Sequence, residues 1–404
     1  MDERLDDLAA GVTSSDPAFV VPQRHDGSPG AHAPSSARDV RVRRLLHVCD
    51  FHLKYATGVS RGLADHGHDV TLLTRDHDLE FGGRPGAMRD YVARRGGDVV
   101  RHAILPGRTR DAAGLRAAAR LRRRLRSWRP DVVHFQESVG TDLRLLLAAG
   151  VPWGRYAVTV HDPAPHPGET WPLVRRETLR ILLRGAGVVF VHSDVLRDAL
   201  LERARPKAPV VVVPHGIDPP QVAPMNGSPS LLFFGRISTY YKGLDVLLDA
   251  MPRVWERVPE ATLTIAGAGE VAEHPLLGDA RVVLRNEHIA DDEVPGMFAA
   301  STCCVLPYRE ASQSGVGSRA KSYGRAIVAT DVGGLPELVT PDCGRIVTAG
   351  DSEALAMALV EVLTTPGLAE SMGRAAAADV AAAGWDRVAE MTLDAYERHL
   401  LREP

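Results

Sequence analysis

Lysine is nearly absent from this 404-residue chain, which has four lysines (Lys54, Lys207, Lys242 and Lys321) against 44 arginines. The skew reads as coding bias, so a single arginine says little about function, while each retained lysine poses a question. Cysteine is scarce too. Cys49, Cys303, Cys304 and Cys343 form no CxxC or Cys/His spacing, and the adjacent pair would point to opposite faces of a strand, which excludes a disulfide framework or a zinc ribbon. A reduced, cytoplasmic protein is expected. No apolar run approaches the roughly 18 to 20 residues of a membrane span, and acids stand where a signal peptide needs a basic region, so neither export by that route nor a spanning anchor is expected. Charge of one sign is also lacking: 51 acidic residues nearly balance 48 basic ones, which excludes a bulk-basic nucleic-acid binder.

What is present is ordinary globular composition, 45% hydrophobic and 25% charged, in a chain too long for one hydrophobic core. Residues 1–38, rich in Asp, Pro, Ser, Gly and Ala, predict a flexible tail. From Val42 short apolar runs (45–49, 70–74, 132–135, 157–160, 188–192, 210–213) alternate with helical stretches, a βαβα rhythm that predicts a parallel sheet covered on both faces. Pro214 to Pro220 breaks the rhythm and marks a linker. A second series follows: strands at 231–234, 262–266, 282–284, 303–306 and 327–330, with helix 243–257. The fold class is therefore α/β, two tandem Rossmann-like doubly wound domains facing a cleft. The expected boundaries are 39–218 and 219–385, with a C-terminal helix (386–404) packing back on the first domain. Ligands of such sheets bind at the carboxyl ends of the strands.

Chemistry concentrates at those ends. Phe234-Gly235-Arg236-Ile237 and Tyr241-Lys242-Gly243 put a guanidinium fork and a point charge at a strand-to-helix junction, a combination suited to two adjacent phosphoryl groups. Leu306-Pro307-Tyr308-Arg309-Glu310 brings a carboxylate to another strand end, and the small residues from Gln313 through Ser314 and Gly315 open a helix whose free N–H groups can meet an anion or a sugar hydroxyl. Taken alone, Glu310 could equally be a carboxylate that only stabilises a helix dipole. Val160-His161-Asp162, with His166 and Glu169 downstream, forms a polar loop after a first-domain strand; its prolines give no helical i, i+4 spacing, which argues against a metal. Gly267-Ala268-Gly269 lacks the third glycine of a dinucleotide fingerprint. Lys54 lies on the loop after the first strand, facing the cleft. Asp76-His77-Asp78 caps a loop rather than binding an ion. The arginine-rich helix 116–129, with Leu115, Ala118, Leu121, Leu125 and Trp128 at helical spacing, is read as a solvated face over a buried stripe, with peripheral membrane contact the less favoured alternative.

Between residues 42 and 398 the chain resembles the retaining GT-B glycosyltransferases of glycosyltransferase family 4. The resemblance is carried by Gly235-Arg236-Ile237 with Lys242-Gly243-Leu244-Asp245, by Pro259 to Glu270, and by Val328-Ala329-Thr330-Asp331-Val332-Gly333-Gly334-Leu335-Pro336-Glu337. It implies a hexosyl transferase taking a nucleotide-diphosphate sugar as donor, an acceptor of unknown identity, retention at the anomeric carbon, and no cofactor or metal. Arg236 and Lys242 would then hold the donor diphosphate with the backbone of Gln313, Ser314 and Gly315. Glu310 and His161 would be the catalytic pair facing the donor sugar from opposite domains, and Lys54, Asp162, His166 and Glu169 would contact the cleft or the acceptor. Two departures stand out. The family's glutamate pair, spaced E-x7-E, falls on Ala311 and Arg319, so Glu310 serves only with a one-residue shift, and the Gly-Gly common in the first loop is missing. These departures keep open a non-catalytic member binding a partner glycosyltransferase or glycan, and a nucleotide-sugar epimerase on the same fold is a further alternative.

Overall fold

The computed structural model describes residues 43–401 apart from 50, 76–77, 106–115, 117–118, 121–122, 124–125, 137–149, 166–169, 223, 226 and 238–239. The N-terminal tail, six of the fourteen residues of the arginine-rich stretch 116–129, His166 and Glu169 lie outside the described residues. The first half builds β1 (Arg44–Cys49), α1 (Leu53–Asp65), β2 (Asp69–Arg75), α2 (Ala87–Gly96), β3 (Val100–Leu105), β4 (Val132–Gln136), β5 (Tyr156–Thr159), α3 (Leu173–Gly185), β6 (Val188–Val191), α4 (Asp194–Arg203) and β7 (Val210–Val212). All seven strands are parallel, in the order β3-β2-β1-β4-β5-β6-β7. The second half builds β8 (Ser230–Phe234), α5 (Leu244–Arg257), β9 (Thr262–Ala266), β10 (Val282–Arg285), α6 (Val294–Ala299), β11 (Cys303–Leu306), α7 (Gly315–Ser322), β12 (Ala326–Thr330), α8 (Leu335–Leu338) and β13 (Gly344–Val347), followed by α9 (Ser352–Thr364), α10 (Leu368–Ala383) and α11 (Trp385–His399). Its six strands run β10-β9-β8-β11-β12-β13, again all parallel.

Strands such as Cys303–Leu306 and Ala326–Thr330 are buried at every position because helices cover both faces, which is why they read as unbroken apolar runs. Helix α5 shows the complementary logic. Leu244, Leu247, Leu248, Met251, Val254 and Trp255 recur at helical spacing and are all buried against the second sheet. In each sheet the strand order reverses beside the first strand, between β1 and β4 and between β8 and β11. The loops leaving those strands meet across one cleft.

Helix α11 crosses back to the first half and packs on α1, where Val388, Ala389, Ala395 and Tyr396 join the core of the first sheet. The Tyr396 hydroxyl lies 2.6 Å from His134 Nδ1, and His134 Nε2 is 2.7 Å from Thr159 Oγ1. The outgoing and returning segments also pair, through a parallel bridge between Ile217 and Gly384. The linker is therefore fastened: Asp218 accepts from Trp385 Nε1 at 2.8 Å, and Gln221 N donates to the Ser322 carbonyl at 2.7 Å.

Candidate active site

The Arg236–Lys242 loop is held by backbone contacts that its sequence makes possible. Gly235 N and Ile237 N donate to the carbonyls of Ala266 and Ala268, and Ile237 bridges to Gly269, so the Gly267-Ala268-Gly269 run extends the sheet beneath Arg236. Gly243 adopts a left-handed conformation (φ 64°), and a Cβ there would sit 1.9 Å from the Pro307 carbonyl oxygen. Glycine alone permits that approach. Arg309 N donates to the Tyr241 carbonyl at 2.8 Å, and its guanidinium makes a bidentate pair with Asp245, both contacts 2.6 Å. The ends of β8 and β11 are thereby locked together.

The lock fixes Lys242 over the face of Tyr308, its ammonium 3.6 Å from the ring centroid. Among the described residues no carboxylate lies within ion-pairing distance of it. Burial first, and the neighbouring Arg236 second, push its pKa down to about 7 against the opposing pull of Asp162. The Arg236 guanidinium meets the Tyr241 hydroxyl. Ser314 caps α7 through its hydroxyl, which accepts from Gly317 N at 3.1 Å, and Gly315 opens the helix against the His215 ring. Glu310, half-buried, follows Arg309 on the same loop, and Ala311 beside it is buried.

The first half faces this loop with a cluster of imidazoles. His161 stacks on His52, centroids 3.8 Å apart and planes 13° from parallel, and Tyr55 packs edge-on at 5.0 Å. His161 Nδ1 is 3.1 Å from His192 Nε2, and His192 Nδ1 is 3.0 Å from the Val213 carbonyl. Because that carbonyl only accepts, His192 donates through Nδ1 and accepts at Nε2, so His161 donates through Nδ1 and carries a lone pair on Nε2. Gln136 Oε1 lies 3.3 Å from that lone pair, while Gln136 Nε2 is buried without a partner among the described residues. Turning the carboxamide over lets Gln136 Nε2 donate to the Nε2 lone pair of His161. Burial holds His161 and His192 well below the ordinary imidazole pKa and brings His52 and His215 down to about 4, so these rings are neutral at physiological pH.

His52 explains the missing Gly-Gly. It sits at the mouth of α1 in the left-handed backbone region (φ 66°, ψ 35°), the conformation a glycine would supply there, and its ring makes the stack on His161. Glu80 accepts from the first N–H groups of α1, at Leu53 (2.7 Å) and Lys54 (3.3 Å). Lys54 crosses the cleft to Asp291 at 2.8 Å, and Arg319 reaches the same carboxylate at 3.4 Å. Three further contacts join the halves: Ser312 Oγ donates to Asp162 at 2.5 Å, Gln313 Nε2 donates to the His192 carbonyl at 3.2 Å, and Glu337 accepts from Asp194 N and Val195 N at the start of α4, each at 3.4 Å. Asp162 thus makes the direct inter-domain contact of its loop, with His161 one layer behind. Asp78 caps the start of α2, accepting from Gly86 N (3.0 Å) and Met88 N (2.7 Å). Buried Lys321 pairs with Asp379 of α10 and is structural.

The structure thus gathers Arg236, Lys242, Glu310, Gln313, Ser314, Gly315, His161, Asp162 and Lys54 around one cleft. His52, Tyr55, His192, His215, Ser312 and Asp291 join them without having been singled out from the sequence. Each of His161, His192 and His215 follows the end of a parallel strand, but only His161 lies in a polar loop that its own sequence marks. Two facing α/β sheets with such a cleft define the GT-B architecture. Residues 228–365 match the family described as glycosyl transferases group 1, and residues 54–221 match glycosyltransferase family 4. The chain is 28% identical over 378 residues to a glycogen synthase of Mycobacterium tuberculosis, covering 84% of this chain and 88% of that one. It is 29% identical over 301 residues to an MMP alpha-(1->4)-mannosyltransferase of Mycolicibacterium hassiacum, covering 67% and 71%. The solved structure of Anabaena HepE in complex with UDP and glucose superposes with a TM-score of 0.66 at 16% identity, covering 88% of this chain and all of that one. The chain belongs to the group 1 glycosyltransferases of family 4 and is a glycosyltransferase of the GT-B fold.

Proposed function

We propose that this glycosyltransferase takes its sugar from a nucleoside-diphosphate donor bound at the strand ends of the second half, and transfers it with retention and without a metal ion. The observation that carries the reading is Lys242, a half-buried ammonium with a depressed pKa, beside a second cation and the start of a helix. Among the described residues no anion neutralises this ammonium, so a phosphate would complete the site, and Arg236 supplies the matching fork. HepE, whose fold this chain shares, binds UDP and glucose.

In this reading the bond from C1 of the sugar to the distal phosphate oxygen breaks, leaving its electron pair on that oxygen. Arg236, Lys242 and the N–H groups near Gly315 stabilise the charge as it develops, the electrostatic work that elsewhere falls to a divalent ion. The acceptor hydroxyl adds to C1 on the same face, and its proton passes to the departing phosphate oxygen. Glu310 orients the donor sugar, and the neutral His161 presents its Nε2 lone pair to a sugar hydroxyl in place of Gln136. The contacts across the cleft at Asp162, Gln313 and Glu337 exclude water. Arg319 stands at the family's second glutamate and shares Asp291 with Lys54, so in this reading the nucleotide meets charges of a different pattern there. The test is the anomeric configuration of sugar released on slow donor hydrolysis, read by proton NMR before mutarotation: the donor's own configuration is expected, and the inverted one refutes retention.

A further inference from the structure

A groove on the outer side of the first half is not part of the donor site. It is a cavity of about 1120 Å³ between α3 and the segment that follows α4. One wall is α3, where Arg176, Arg180 and Arg184 recur every fourth residue along a single stripe, all exposed. Like charges at that spacing repel one another. The opposite wall carries Arg203, Arg205 and Lys207, also exposed, and among the described residues of the lining Glu177 is the one acid. Arg205 holds a left-handed backbone (φ 44°), a conformation that costs a residue with a side chain and that glycine would adopt freely. Trp153 lies in the groove 66% exposed, an unusual position for so large an apolar ring, and Trp171 stands beside it with Arg175 stacked 3.9 Å from its centroid. The lining also includes Pro163, Ala164 and Pro165, which follow His161 and Asp162 directly in sequence, so one loop runs from the reaction cleft to the groove.

We propose that this groove binds an acidic oligosaccharide and, resting on the transfer function proposed above, guides it as acceptor toward the cleft. Guanidinium forks converging from two walls match carboxylates borne at intervals along a chain. Exposed indole faces match the apolar faces of sugar rings. A cavity at the upper end of the usual range for ligand pockets admits several rings, and its concave shape suits an inserted chain rather than the flat face of a bilayer. Lys207, which has a place in neither the donor cleft nor the core, acquires one here.

The test uses the full chain, titrated with a galacturonate hexamer, a hyaluronan hexasaccharide, neutral maltohexaose and phosphatidylglycerol vesicles, followed by tryptophan emission at two salt concentrations. Both acidic hexasaccharides should bind, more weakly at high salt, and maltohexaose should not. Arg180→Glu combined with Arg205→Glu should weaken binding by at least about tenfold, the loss of one charge-assisted contact. Trp153→Ala should weaken it several-fold, and both variants should keep the wild-type rate of donor hydrolysis and near-UV circular dichroism. Failure of both acidic hexasaccharides to bind, equal binding of maltohexaose, unchanged affinity after charge reversal, or binding of the vesicles alone would each overturn the proposal. Binding without any donor turnover would keep the groove as a glycan site and remove its link to transfer.

Discussion

If Lys242 is held near pKa 7 in the free protein and contacts a diphosphate in the complex, donor binding must be coupled to proton uptake. The phosphates of an intact nucleotide sugar are fully ionised across the neutral range, so the lysine is the titrating partner. Contact with two phosphoryl charges returns its pKa toward the ordinary value of about 10.5. The sign follows: affinity is full below pH 7, where the ammonium already exists, and falls as pH rises, because binding must then also protonate the amine. For a free-state pKa of about 7, apparent affinity should drop about fifty-fold between pH 7 and pH 9, approaching about 1.4 kcal/mol per pH unit. Calorimetry with UDP-glucose in two buffers of different ionisation enthalpy should show about 0.9 protons taken up at pH 8. In Lys242→Gln the profile should flatten and the uptake vanish while the fold persists. A flat profile in the wild type, or the same slope in the variant, would refute this reasoning.

Three further outcomes follow from the same contacts. Glu310→Gln should lower kcat by about 10²-fold with little change in donor affinity, measured by steady-state kinetics against equilibrium binding; loss of affinity alone would remove Glu310 from the reacting centre. Gly62→Ala places a methyl 2.6 Å from the Trp385 carbonyl oxygen where α11 crosses α1, and should cost about 1–3 kcal/mol in urea unfolding, with an unchanged midpoint denying that packing. Burial holds His47 at about 3, and His52 and His215 at about 4, below their unfolded value of 6.5. Their contribution to stability is therefore present above pH 6.5 and lost as pH falls toward 4, by up to about 1.4 kcal/mol per pH unit for each ring. A urea midpoint that stays constant from pH 7 to pH 5 would contradict it.

Much of the fold was legible because strands buried on both faces announce themselves as apolar runs: Thr262–Ala266 and Cys303–Leu306 stand where the sequence placed them. Strand β3 was not, since Arg101 and His102 interrupt its apolar character at the edge of the sheet. Arg236 and Lys242 were legible through local chemistry, a cation pair at a strand end. The imidazole cluster was not, because His52, His192 and His215 meet only after three separate strand ends converge, and no local spacing records that. His215 shows the limit well: within the sequence it belongs to a linker, yet its ring packs against α7 and His192. Arg319 looked like a lost glutamate, whereas in the fold it shares Asp291 with Lys54 across the cleft.

Release of nucleoside diphosphate reports whether this cleft activates a nucleotide sugar through Lys242 and Arg236. Wild type and Lys242→Ala should be incubated with UDP-, GDP-, ADP- and dTDP-sugars and the free diphosphate measured over time. Slow hydrolysis of at least one donor by the wild type is expected, with its near-complete loss in a variant that melts at the same temperature. Equal release by both proteins, or neither release nor a thermal shift with any of the four nucleotides, would contradict it.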